Sequence, residues 1–208
     1  MDISTEFIGM VAGIISFLAW MLYAVDIIRK KTRPNRATWA TLTLLGLMVL
    51  LSYYELGARD TIWVPIGYFV GPLVISLLSI FYYGEGGWTS FDKKCIFLIA
   101  VSFILWLIFR IYYPLLALPV LIVSLFIDFI GLLPTFKKSL IEPEFENANA
   151  WSLEGISSII NLFAVGTWSL TATSFSVWVY PVYLVVVNLS LAIILVLGKF
   201  KNKKTYNG

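Results

Sequence analysis

Three polar side chains stand inside the apolar stretches of the second half of this chain: Asp128, Asn161 and Asn188. Counted from the ends of their stretches at Phe136, Trp151 and Leu197, they lie eight, ten and nine residues in. On a helix of about 1.5 Å rise per residue, that is roughly 12–15 Å of depth. A carboxylate at such depth in hydrocarbon costs about 2.5–3.5 kcal/mol on insertion scales and is a functional candidate by default. Asp128 has three chemistries open to it: neutralising an amine, carrying a proton, or accepting hydrogen bonds from hydroxyl groups. The other reading is structural, with Asp128 hydrogen-bonded to Asn161, Asn188 or a tyrosine as glue between helices. No second acid shares its depth, so the proton-sharing pair of an aspartyl protease is not expected. With no histidine and a single cysteine, Cys95, the common zinc and haem ligand sets and a histidine-based triad are missing. The expectation is therefore no enzyme, no metal and no cofactor.

The first half offers Trp20, Thr43, Gly46, Tyr68 and the Gly71-Pro72 pair at the same depth. Trp20 and Tyr68 form an aromatic wall which, opposite Asp128, Asn161 and Asn188, suits a small polar solute. Gly71 and Pro72 read as a hinge, because a proline frees a carbonyl in the helix and such breaks line a cavity or are satisfied by neighbours. A plain packing kink is the alternative. Asp26, four residues before Lys30, is expected to make an interfacial ion pair. Glu154 falls in the first turn of the run that opens at Trp151, where the helix dipole favours an acid.

The elements that position these groups follow from composition. With 60% hydrophobic and 13% charged residues, and a mean hydropathy of +0.88, the chain has too little polar surface to cover a globule in water. Spanning helices need about 17–25 mostly apolar residues. Seven runs qualify: Phe7 to Ile28, Ala37 to Tyr54, Ile62 to Tyr83, Cys95 to Tyr113, Pro114 to Phe136, Trp151 to Leu170 and Ser174 to Leu197. Tyr113-Pro114 separates the fourth from the fifth, since the residue before proline avoids helix. All fifteen basic residues except Arg59 and Arg110 fall on one side. The positive-inside rule makes that side cytoplasmic, with the N-terminus outside and the C-terminus inside. The net charge of +3 is thus an orientation signal rather than a nucleic-acid footprint. The expected partners are the lipid bilayer and a small-molecule solute; the oligomeric state stays open, a homo-oligomer included.

One pattern occurs twice. Lys30-Lys31-Thr32 leads to Asn35-Arg36-Ala37-Thr38-Trp39, and Lys137-Lys138-Ser139 leads to Asn147-Ala148-Asn149-Ala150-Trp151. Trp63-Val64-Pro65 recurs loosely as Trp178-Val179-Tyr180-Pro181, which sets Pro72 opposite Asn188. Both units start outside, so an odd number of helices joins them. The predicted fold is an all-α membrane domain over 1–208: seven transmembrane helices as two parallel three-helix repeats, 7–83 and 114–198, joined by a linker helix, 95–113, in a 3+1+3 arrangement.

Leu133-Pro134-Thr135-Phe136, with Lys137-Lys138-Ser139 close behind, resembles the first-helix motif of the SWEET family. The chain as a whole resembles the SWEET and PQ-loop superfamily, whose architecture the KDEL receptor shares. The resemblance implies facilitated or proton-coupled movement of a small polar solute through a pocket between two bundles. It also implies that Asn188 faces that pocket and that Pro134 is a hinge. The expected function is an alternating-access transporter of a sugar-like, amino-acid-like or amine solute, proton-linked through Asp128. The alternative is a seven-helix receptor or cargo-binding protein without transport.

Overall fold

The computed structural model describes residues 4–84, 86, 89–112, 117–166 and 168–206. Seven α-helices form among them: α1 (Thr5–Ile28), α2 (Arg36–Glu55), α3 (Trp63–Leu78), α4 (Ser90–Tyr112), α5 (Ala117–Ile141), α6 (Ala148–Phe163) and α7 (Ala172–Tyr206). The Tyr113-Pro114 break lies outside the described residues. Side-chain caps start three of the helices. Ser4 Oγ accepts from the Phe7 amide at 3.2 Å, Asn35 Oδ1 from Thr38 at 3.0 Å, and Asn147 Oδ1 from Ala150 at 2.9 Å, each satisfying a donor that the first turn leaves free. The two repeated asparagines are therefore helix caps, and the tryptophan four residues later, Trp39 or Trp151, is fully buried in each case.

Five helical segments are long and apolar enough to cross a membrane: Thr5–Ile28, Arg36–Glu55, Trp63–Tyr83, Leu118–Ile141 and Ser174–Lys201. Large apolar side chains such as Ile14, Phe126 and Ile193 are more than half exposed on the outer surface, as a lipid-facing wall requires. The protein is an integral, multi-pass helical membrane protein. Helix α4 adds a further apolar stretch, Ile96–Tyr112 among the described residues. The sixth run ends well short of its prediction. Instead of Trp151 to Leu170, α6 covers the 16 residues Ala148–Phe163, about 24 Å of helix, and ends three residues before Gly166. Hydropathy alone had carried the run on through apolar residues that lie beyond the helix end.

Helix α1 packs on α3 and α6, α2 on α3 and α5, and α7 on α5 and α6. These contacts close a ring in the order α1, α3, α2, α5, α7, α6, with α4 outside it against α2 and α5. Side chains fill the ring, among them Tyr23, Leu42, Leu121, Leu132, Leu184 and Leu191. Close approach of α3 to α1 depends on two glycines one turn apart. A Cβ on Gly67 would stand 2.7 Å from Ser16 Oγ, and one on Gly71 would enter the Trp20 indole at 2.2 Å; small residues at such contacts let membrane helices meet.

Both ends of the ring are fastened. At one end Thr5 Oγ1 donates to Asp60 at 2.5 Å, Arg110 pairs with Glu55 at 2.5 Å, and the Tyr53 hydroxyl donates to the Val177 carbonyl. At the other, a 3-10 turn (Pro143–Phe145) leads into Glu146, which is buried and held from three helices. Its carboxylate accepts from Tyr23 of α1 at 2.8 Å and from Lys138 of α5 at 3.0 Å, while its carbonyl accepts from Lys199 of α7 at 2.6 Å. Lys138 also donates to the Arg33 carbonyl. Asp26 does not take its predicted partner Lys30 here; it accepts from Asn147 Nδ2 at 2.8 Å. The reason is that α1 ends at Ile28 and Lys30 turns away with a φ of 58°, while the α5–α6 connection folds over the helix end.

Candidate functional site

The interior of the ring is polar on one side. Asn188 of α7 is fully buried, accepts from the Tyr68 hydroxyl of α3 at 2.7 Å and donates to Ser158 Oγ of α6 at 3.1 Å. Three helices thus meet in one short hydrogen-bonded chain. The proline alignment that set Pro72 opposite Asn188 left Tyr68 one turn away from it, and the structure joins Tyr68 and Asn188 directly. Pro72 lies inside α3, so the Tyr68 carbonyl lacks its helical donor. Gly46 of α2 is the residue that approaches it, since a Cβ there would stand 2.5 Å from that oxygen.

Trp20 occupies the next level of the ring. Its indole stands nearly perpendicular to Trp39, Tyr68 and Trp151, with ring centroids 5.4–5.6 Å apart, the edge-to-face geometry that aromatic quadrupoles favour. The indole nitrogens of Trp20 and Trp151 are buried without a partner. Gly71 is therefore the surface that admits the Trp20 ring, and the Gly71-Pro72 pair borders packed aromatic side chains. Pro134 lies inside α5, beside a cleft that it lines with Asn35, Phe136 and Lys137.

Asp128 is 6% exposed and accepts from the Tyr183 hydroxyl of α7 at 2.6 Å. That bond belongs to the seam between α5 and α7 and is separate from the Tyr68–Asn188–Ser158 chain. Asn161 is fully buried with neither amide atom partnered. Because α6 ends at Phe163, Asn161 is in the last turn, its carbonyl accepting from Ala164 at 3.1 Å, near the end of the ring where α1 begins.

The largest correction concerns Glu154. It stands seventh of the 16 residues of α6, in its second turn, and is fully buried. Ser16 Oγ of α1 donates to its Oε1 at 2.7 Å. One turn along, Ser157 Oγ donates to the Ala12 carbonyl of α1 at 2.8 Å. Asp128 therefore has a second acid in the interior, which its depth alone did not suggest. The sequence held the signal: Asn147, placed before Trp151 as Asn35 is before Trp39, marks the helix start at Ala148 and so moves Glu154 a turn deeper. Ser16, Ser157 and Ser158 were also missed, because a serine in an apolar run carries no signal until the facing helix is known.

Taken together, a mid-helix carboxyl, an asparagine–tyrosine–serine chain and an aromatic cluster face one another across α1, α3, α6 and α7. Such a set can hydrogen-bond a polar solute and stack on its apolar face. In this conformation it is closed to solvent. Comparison with family models, with curated proteins and with solved structures returns no match to this chain.

Proposed function

We propose that this protein carries a small polar solute across the membrane by alternating access, with α1–α3 and α5–α7 moving as two three-helix halves and α4 linking them. In this reading the halves are parallel repeats, the N-terminus is outside, the C-terminus is cytoplasmic, and the chain is a divergent member of the SWEET and PQ-loop superfamily. The pairing of helices supports the repeat. Exchanging α1, α2 and α3 for α5, α6 and α7 turns each contact of the ring into another contact of the ring. The asparagine cap and buried tryptophan that begin both α2 and α6 support it too.

The observation that carries the function is the Tyr68–Asn188–Ser158 chain, a buried polar link between one half and the other. Polar groups placed at an interface that must part are replaceable partners, since a solute hydroxyl, amine or carboxyl can take over each hydrogen bond. Asp128, Asn161 and Trp20 are further solute contacts, with Gly71, Pro72 and Pro134 as hinges. The Glu146 linkage is the cytoplasmic gate, closed in this conformation.

The test is counterflow in liposomes of the purified protein, with a panel of sugars, amino acids, amines and nucleosides at two pH values. Wild type is compared with Asn188→Leu and Asp128→Asn. Flux of one solute class that Asn188→Leu abolishes is the expected result, with Asp128→Asn lowering or uncoupling it. Saturable binding without flux makes the protein a receptor, and neither flux nor binding removes the reading.

A further inference from the structure

Glu154 is a buried carboxyl group without a counter-charge. Its Oε1 has a single donor, Ser16, and its Oε2 has none. Among the described residues no lysine or arginine pairs with it. The helices packed on α6 are α1, α3 and α7. On these helices Tyr68 of α3 and Tyr180 of α7, both buried, feel the Glu154 carboxyl electrostatically, while α1 presents the neutral Ser16. Asp128 on α5 is an acid that acts on the same two tyrosines and supplies no positive charge. The contrast with Glu146 is informative. That glutamate is equally buried but sits against Lys138 at 3.0 Å and receives the Tyr23 hydroxyl as well. The chain thus supplies a cation to one buried glutamate and withholds it from the other.

An ionised carboxylate in such surroundings is penalised by several kcal/mol, and a group so placed holds a proton instead of a charge. We infer that Glu154 is a proton-binding site, with the proton on Oε2 while α6 is packed against α1 and released to water when that seam opens. Oε2 is the receiving atom because Oε1 already accepts from Ser16. On the transport reading above, this makes Glu154 a second group, beside Asp128, through which solute movement is tied to the proton gradient; the proton site itself is independent of that reading.

Two measurements on the purified protein need no solute. Dicyclohexylcarbodiimide adds to a protonated carboxyl, giving an acylisourea that rearranges to a stable N-acylurea, and leaves carboxylates alone. Peptide mass analysis is expected to find the adduct on Glu154 of the wild type, declining as pH rises. Infrared spectroscopy is expected to lose a carboxylic-acid carbonyl band in Glu154→Gln, a variant that keeps the shape of the neutral acid, while Asp128→Asn retains that band. Absence of adduct at acidic pH, together with an unchanged band in Glu154→Gln, overturns the site. Suppression of labelling by sodium but not by alkaline pH makes it a sodium site and also overturns it. If counterflow identifies a solute, Glu154→Gln is expected to lose all accumulation driven by a pH gradient; accumulation equal to wild type overturns the coupling. A band lost in Glu154→Gln with no flux of any solute on the panel removes the transport reading and leaves the proton site standing.

Discussion

Helices α2 and α6 begin alike and then diverge. Each opens on an asparagine cap and buries a tryptophan four residues later. Beyond that point α2 has Leu42, Leu45, Gly46 and Val49 where α6 has Glu154, Ser157, Ser158 and Asn161, and all eight are buried. Helix α2 packs against α3 and α5 with these apolar residues, so a helix in this ring needs no polar face to fold. The polar face of α6 is consequently an added property. It costs stability, since Asn161 leaves both amide atoms unpartnered and Glu154 one oxygen, and that cost points to a role other than packing.

Moving the acid to the other helix is the severest test of this contrast. Leu42→Glu puts a carboxyl three residues after Trp39, as Glu154 stands three after Trp151, where apolar neighbours surround it. The variant is expected to lose about several kcal/mol, seen as collapse of the monodisperse fraction on size exclusion; a well-folded variant would break the contrast. Asn161→Val gives α6 the residue of α2. Removing an unpartnered buried amide is expected to stabilise the protein by about 1–2 kcal/mol, with a higher unfolding temperature and reduced flux. A loss of stability would mean that Asn161 has a structural partner. Ser157→Ala removes only the hydroxyl that reaches the Ala12 carbonyl and is expected to cost about 0.6 kcal/mol, the usual worth of a hydrogen bond between membrane helices. A cost several times larger would make the α1–α6 seam a structural one.

How far the sequence speaks differs between the two helices. The start of α2 is legible in Asn35 and its extent in hydropathy, because an apolar helix shows both its ends as changes in composition. The start of α6 is marked by Asn147 in the same way, but its extent is not. Apolar residues continue past Phe163, while polar residues inside the helix weaken the very signal that counts it. That is why Glu154 reads as a first-turn acid although it stands in the second turn, and why the place of Asn161 in the last turn of α6 is not legible. Asp128, Asn188, Tyr68 and Trp20 are legible as polar or aromatic groups at depth. Which of them touch is a tertiary matter: Tyr68 meets Asn188 because Gly67 and Gly71 bring α3 against α1, and Asp128 meets Tyr183 because α5 packs on α7.

The central claim is that the closed polar interior opens to each side in turn. Its most direct test is a single cysteine at Ser158, which accepts from Asn188 at 3.1 Å and is fully buried, in a chain whose Cys95 is replaced by serine. Membrane-impermeant maleimide is applied from the outside or the inside of oriented vesicles. The account expects labelling from both sides, faster from the inside when Glu146→Gln loosens the link to Lys138 and Tyr23. Absence of labelling from either side would contradict it and leave the polar face of α6 as sealed structure.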